Sequence, residues 1–103
     1  MGDRFENISN STIVNRSIVE RSFNKLAKDY GDDTAQALQQ LAGEIEKSGD
    51  REAAETFEAF NEELQKPEPK KSVLKSLFNG ITLALPTLNT MTDLIEKISK
   101  IFT

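Results

Sequence analysis

Apolar residues from Val19 to Leu64 recur at intervals of three or four, and this spacing constrains the fold more than any other feature of the sequence. Such residues lie on one face of an α-helix, whereas a half-buried strand would alternate apolar and polar residues. Two short breaks, Gly31-Asp32 and Ser48-Gly49-Asp50, carry the glycine and aspartate that helix ends and helix starts favour. Connections this short favour antiparallel packing of the two helices that they join. The spacing therefore predicts three amphipathic helices, over residues 17–30, 33–48 and 51–66.

Particular residues are expected to start these helices. Ser17 and Glu20 have the spacing of a capping box, in which each side chain satisfies a free backbone N–H of the other residue. Asp33 (or Asp32) and Asp50 are suited to capping the next two helices.

The C-terminal third holds a linker and two more apolar helices. Pro67 and Pro69 favour an extended stretch over residues 67–71, after which Ser72 can cap a helix. Apolar stripes then predict helices 72–85 and 87–102, separated by Pro86. The fold expected is all-α: one domain, a compact bundle of about five short antiparallel helices. Its core should contain Val19, Phe23, Leu26, Leu38, Leu41, Ile45, Phe57, Phe60, Leu64, Leu77, Phe78, Ile81, Leu94, Ile95 and Ile98.

Residues 1–16 are rich in Asn and Ser, a composition that disfavours helix, and are expected to form an extended arm. Apolar residues recur every five positions here, each preceded by a small polar residue, at Ile8, Ile13, Ile18 and Phe23. This pattern resembles the pentapeptide-repeat family, which implies a square β-coil and assembly by stacking. It departs from that family at Glu6, Arg16 and Arg21, where a small residue is usual. An extended arm that runs into a helix is the alternative, and the departures favour it.

A second resemblance concerns the helices over residues 33–66. Ala53 and Phe57 have the spacing found in half of a tetratricopeptide repeat, but Phe60 replaces a small residue and no 34-residue period follows. An ordinary antiparallel helix pair is therefore favoured.

Composition argues against catalysis and against several kinds of ligand. The sequence has no histidine and no cysteine. Histidine is the commonest general base and transition-metal ligand, and cysteine is a strong nucleophile. Glu55, Glu58, Glu62 and Glu63 are predicted to form a solvated face opposite Phe57. We therefore expect no enzyme, no cofactor, no metal site and no small-molecule substrate. The net charge of −4 argues against nucleic-acid binding.

Charge is unevenly distributed along the chain. Residues 1–66 hold 14 acidic and 8 basic groups, whereas residues 67–103 hold 3 acidic and 5 basic groups, and residues 76–92 hold none. This asymmetry favours head-to-tail packing of copies or an acidic partner. The uncharged run is too short to span a membrane, but the lysines that flank it are compatible with a lipid surface.

These features predict a non-catalytic protein–protein interaction or oligomerisation module. An Asn/Ser-rich arm followed by a compact acidic helical unit resembles small accessory domains of bacterial signalling and defence proteins. The alternative is a membrane-active protein whose C-terminal hairpin engages lipid. Polar residues interrupt the first apolar ones, so no secretory signal is expected and the predicted location is cytoplasmic. The candidate interaction residues are Ile8, Ile13, Val14, Leu83 and Phe102.

Overall fold

Five α-helices make up most of residues 13–103, the part of the chain that the computed structural model describes. Within that part there is one short 3₁₀ helix, Pro86–Thr90, and no strand. The all-α fold predicted from the sequence is therefore confirmed. The helices are α1 Arg16–Asp29, α2 Asp32–Ser48, α3 Arg51–Leu64, α4 Lys71–Ala84 and α5 Thr92–Ser99.

Helix α1 begins one residue earlier than predicted because Asn15, rather than Ser17, caps it. The Asn15 side-chain oxygen accepts hydrogen bonds from the backbone N–H groups of Ser17 and Ile18, at 3.1 and 3.3 Å. These are two of the donors that the first helical turn leaves without an intrahelical partner. The predicted Ser17 capping box is wrong, and so is the prediction that the arm continues through Arg16.

The α2–α3 junction follows the sequence prediction closely. Gly49 takes a left-handed conformation with φ at +69°, which ends α2. The Asp50 carboxylate accepts a hydrogen bond from the Ala53 N–H at 3.0 Å, which starts α3. The residues at the junction therefore determine this helix boundary.

Neighbours in the sequence are not always the closest neighbours in space. The two most extensive packing interfaces join α1 to α2 and α3 to α4, and α5 packs on α2. The α2–α3 pair makes only a minor interface despite its short connection, because α3 packs mainly on α4 and on α1. The resemblance to half of a tetratricopeptide repeat, which the sequence did not favour, therefore has no closely packed helix pair behind it.

The core lies where the apolar stripes converge. Every predicted core residue is buried except Phe23, Leu77 and Ile95, which are partly buried and pack against the core. The rings of Phe60 and Phe78 lie 6.4 Å apart between centroids and join α3 to α4. Other residues also join the buried set, namely Val14, Ala35, Ala37, Ala53, Ala54, Leu74, Leu88 and Ile101.

The C-terminal segment differs from the single predicted helix over residues 87–102. Pro86 opens a 3₁₀ turn in which the Met91 N–H donates to the Leu88 carbonyl at 2.9 Å, and α5 begins only at Thr92. Threonine and asparagine favour turns over helix interiors, and the Thr90 hydroxyl donates to the Thr87 carbonyl. Ser72 also lies inside α4, which starts without a side-chain cap.

The five-residue period does not produce a β-coil in the described part of the chain. Ile18 and Phe23 both lie within α1, whose buried residues follow helical spacing. The resemblance to pentapeptide repeats is therefore wrong for residues 16–23. Its first unit, around Ile8, lies outside the described residues.

Candidate functional site

One large apolar side chain stands out on the surface. Leu83, near the C-terminal end of α4, is 81% exposed. Ser76 and Asn79 lie on the same face of the helix, since they precede Leu83 by seven and four residues, and both are exposed. Pro86 and Thr87 follow in the 3₁₀ helix and are exposed too. We call these five exposed, uncharged residues the Leu83 surface.

The other predicted interaction residues do not extend this surface. Val14 is buried with 7% of its area exposed, and Ile13 is partly buried against the core. Phe102 is also partly buried and packs on Phe78, with 5.7 Å between ring centroids. These three side chains contribute to the core, while Ile8 lies outside the described residues.

A groove of about 490 Å³ lies between α1 and α2. Its apolar lining comes from Val14 just before α1, from Val19 and Phe23 on α1, and from Ala42 on α2. Its polar and charged lining comes from Arg16, Glu20, Asn24, Gln39 and Glu46. The volume falls within the range of clefts that take small ligands or protruding side chains. Sequence patterns did not predict this groove.

Glu46 lines the groove and holds the chain that leads into α1. Its carboxylate accepts hydrogen bonds from the Val14 N–H at 3.1 Å and from the Ile13 N–H at 3.1 and 3.3 Å. Each of these backbone donors precedes α1 and would otherwise need water or another acceptor. A carboxylate on α2 therefore fixes the segment that carries Val14 into the groove.

Gly43 forms part of the groove wall in the middle of α2. A glycine inside a helix costs about 0.5–1 kcal/mol relative to alanine. A Cβ added at Gly43 would meet no atom within 4 Å, so no close approach inside the described chain requires glycine there. Gly80 on α4 is different, because a Cβ there would lie 3.4 Å from the Thr56 methyl group on α3.

Glu63 lies at a second polar site, under the linker between α3 and α4. One carboxylate oxygen accepts from the Lys70 backbone N–H at 2.8 Å, and the other accepts from the Lys66 ammonium at 2.9 Å. The hydrogen bond from Lys70, followed by that from Lys66, lowers the pKa of Glu63 below its ordinary value of 4.5. Glu63 is only 6% exposed, so its predicted place on a solvated acidic face is wrong.

Helix α1 also holds this linker. The Lys25 ammonium donates to the carbonyls of Leu64 and Lys66, near the negative end of the α3 dipole. The Gln65 amide donates to the buried Ser22 hydroxyl at 3.1 Å and to the Ile18 carbonyl at 3.2 Å. These contacts tie α1 to the end of α3, which is a structural role.

Within residues 13–103, no group of three acidic residues is placed to hold a metal ion. In the same range no helix is long and apolar enough to cross a membrane. No family model matches the chain, and no curated protein or solved structure matches it either.

Proposed function

We propose that this protein is a non-catalytic interaction or oligomerisation module and that the Leu83 surface is its contact site. The observation that supports this most strongly is the 81% exposure of Leu83. Burying a leucine against a partner is favourable by about 1.5–3 kcal/mol, whereas leaving it in water gains nothing for the fold. An isolated exposed leucine is common on proteins, so the proposal also depends on what surrounds it.

The stretch of sequence around Leu83 is unusual for this chain because it carries no charge. Residues 76–92 contain no Asp, Glu, Lys or Arg, although such residues make up 29% of the sequence. The exposed residues of α3, by contrast, include Arg51, Glu52, Glu55 and Glu58. The centres of protein interfaces are depleted in charge, since burying a charge without a partner is costly. The Leu83 surface has that character.

The absence of histidine and cysteine supports the non-catalytic part of the proposal. A protein partner or a second copy is the proposed ligand, with no nucleic acid and no cofactor. A cytoplasmic location and a link to bacterial signalling or defence stay predictions from the sequence.

Site-specific photo-crosslinking in cells of the source organism tests this function. A photoactivatable amino acid replaces Leu83 in one variant and the exposed α3 residue Glu55 in a control variant. We expect a defined covalent adduct from position 83, either with another protein or with a second copy, and none from position 55. Adducts of equal yield at both positions, or none at position 83, would contradict the proposal.

The membrane-active alternative receives less support. The apolar residues of the C-terminal segment, including Leu74, Phe78, Ile81, Leu94 and Ile98, are buried in the core. Lipid binding through those residues would require α4 and α5 to detach, which would expose that core. Binding of the folded protein to vesicles containing anionic lipid, with the helical signal unchanged, would favour this alternative instead.

A further inference from the structure

We infer that the α1–α2 groove is the docking site of the chain's own residues 1–12, with Ile8 as the side chain that enters it. The inference goes beyond the proposed function, since it concerns the groove rather than the Leu83 surface. The groove is open among residues 13–103, and the chain that precedes this range is joined to one of its edges. The same chain is therefore the nearest source of an occupant.

The groove and the point at which the chain enters the described fold coincide at Glu46. Its carboxylate lines the groove and accepts hydrogen bonds from the Ile13 and Val14 N–H groups at 3.1 Å. Val14 lines the groove as well. Because residue 12 is covalently joined to Ile13, residues 1–12 start from this end of the groove.

The length of the groove selects Ile8 among the apolar residues of this segment. The groove follows α1 from Arg16 to Asn24, a distance of about 12 Å at a rise of about 1.5 Å per residue. The five residues from Ile13 back to Ile8 span at most about 18 Å, so Ile8 can reach every part of the groove. An extended chain from Ile13 to Phe5 would be about 27 Å long, more than twice the length of the groove.

The residues around Ile8 match the lining of the groove in polarity. Residues 7–12 consist of one large apolar side chain among short polar side chains, and none of them is charged. The groove has an apolar lining that includes Phe23 and Ala42, and Gln39 contributes an amide group. Ile8 can therefore pack on the apolar residues while its polar neighbours form hydrogen bonds with the amide. No charge of residues 7–12 loses water in this contact.

Attachment to the same chain favours this occupant over a free partner. A short tether holds a segment beside its site at an effective concentration on the order of millimolar. Glu46 already holds Ile13 and Val14, so fewer residues remain to be ordered when the segment docks. Another molecule can enter the groove only when residues 1–12 leave it.

Gly43 is the position at which docking can be blocked. It lines the groove in the middle of α2, and a Cβ there would meet no described atom within 4 Å. The side chain of Gly43→Leu would occupy the space assigned to Ile8, so the segment would be released while the fold keeps its stability. Gln40→Leu is the matched control, because Gln40 is exposed on the same helix and does not line the groove.

Pairs of introduced cysteines test the contact directly, because the sequence has no cysteine of its own. One full-length variant carries Ile8→Cys and Gly43→Cys, and the control carries Ile8→Cys and Glu58→Cys. Glu58 is exposed on α3 and lines a small cavity together with Val14, so it lies near the same entry point but outside the groove. Under mild oxidation, we expect a disulfide within one chain to form at least about tenfold faster in the first variant than in the control.

Nuclear Overhauser contacts in the full-length chain give a second readout. We expect contacts between the Ile8 methyl protons and the Phe23 ring protons in the wild-type chain. These contacts should persist in Gln40→Leu and disappear in Gly43→Leu. Circular dichroism and thermal melting verify that both variants keep the fold, so a loss of contacts reports release of the segment rather than unfolding.

Other results would overturn the inference. Equal rates of disulfide formation in the two cysteine variants would mean that the segment does not prefer the groove. A disulfide that joins two chains would assign the groove to the segment of a second copy. Absence of contacts between Ile8 and Phe23, or their persistence in Gly43→Leu, would exclude Ile8 as the occupant. None of these results involves Leu83, so the proposed function is decided by its own photo-crosslinking experiment.

Discussion

The two long helix pairs of this protein pack differently, although both have amphipathic helices and a short connection. Between α3 and α4 the core is closed: Phe60 and Phe78 contact each other through their rings, and Gly80 approaches Thr56 on the facing helix. Between α1 and α2 a groove stays open among residues 13–103, where Phe23 is only partly buried and a Cβ on Gly43 would meet no atom within 4 Å. Similar patterns of apolar spacing therefore gave one closed interface and one open interface.

The difference shows that apolar spacing alone does not predict how closely two helices pack. Spacing determines which face of a helix turns inward, but the sizes of the facing side chains determine how completely the gap is filled. At the α3–α4 interface a small residue faces a threonine, and large rings fill the remaining space. At the groove, Ala42 and Gly43 on α2 are both small, and the partly buried Phe23 on α1 leaves part of the gap unfilled. Side-chain size, rather than apolar spacing, therefore accounts for the groove.

Truncating one phenylalanine in each pair should produce the largest contrast. Phe60→Ala should lower the free energy of unfolding by about 3–5 kcal/mol, since Phe60 is fully buried. Phe23→Ala should lower it by only about 1–2 kcal/mol, because that ring already faces the groove. Urea denaturation of both variants measures the difference. Equal losses would mean that Phe23 is packed as fully as Phe60.

Enlarging one glycine in each pair should give opposite results. Gly80→Leu should lower the free energy of unfolding by about 1–3 kcal/mol, because the added side chain overpacks the α3–α4 interface at Thr56. Gly43→Leu should be neutral or stabilising, because the side chain enters open space and leucine favours helix. Urea denaturation measures the change in the free energy of unfolding for both variants. Destabilisation by Gly43→Leu would contradict an open groove.

Low pH should lower the stability of the α3–α4 pair because Glu63 becomes protonated. Its pKa is lowered in the folded protein, so its ionised form stabilises the fold fully above pH 4.5, and that stabilisation is lost as pH falls through the folded-state pKa. Glu63→Gln should therefore be less stable at neutral pH and should lose less stability below pH 4.5 than the wild-type chain. The exposed neighbour Glu62→Gln is the control. Parallel curves of stability against pH for wild type and Glu63→Gln would exclude this role.

The smallest expected effect is a gain in stability. Gly43→Ala should raise the free energy of unfolding by about 0.5–1 kcal/mol, since alanine favours helix and the new Cβ contacts nothing. Gly31→Ala is the informative control and should be destabilising, because φ at that position is +104°. Thermal melting resolves both changes, and a loss of stability with Gly43→Ala would require an unseen neighbour of α2.

Local chemistry explains which parts of the fold could be predicted. The α2–α3 boundary was predicted correctly because Gly49 and Asp50 determine it within a few residues. The start of α1 was not, because Asn15 and Ser17 are both good caps and only the folded geometry shows which oxygen reaches the free N–H groups. The break before α5 was missed because apolar spacing continues across Pro86–Thr90 although the backbone there is 3₁₀.

The candidate site was only partly accessible from the sequence. Leu83 was identified because it falls off the apolar stripe of α4, and a residue off the stripe faces solvent on a packed helix. The groove and the burial of Glu63 depend on contacts that join α1 to α2 and the linker to α3. Glu46 reaches Ile13, and Glu63 meets Lys70 only because the linker folds back over α3. No periodicity within one helix contains that information.

The Glu46 carboxylate makes the open helix pair observable by amide hydrogen exchange. The Ile13 and Val14 N–H groups lie outside any helix, so their protection depends on a side chain from α2. Slow exchange at these two amides would report that α1 and α2 are docked, independently of helix content. Faster exchange at both amides with unchanged helix content would report that the chain before α1 has detached from Glu46.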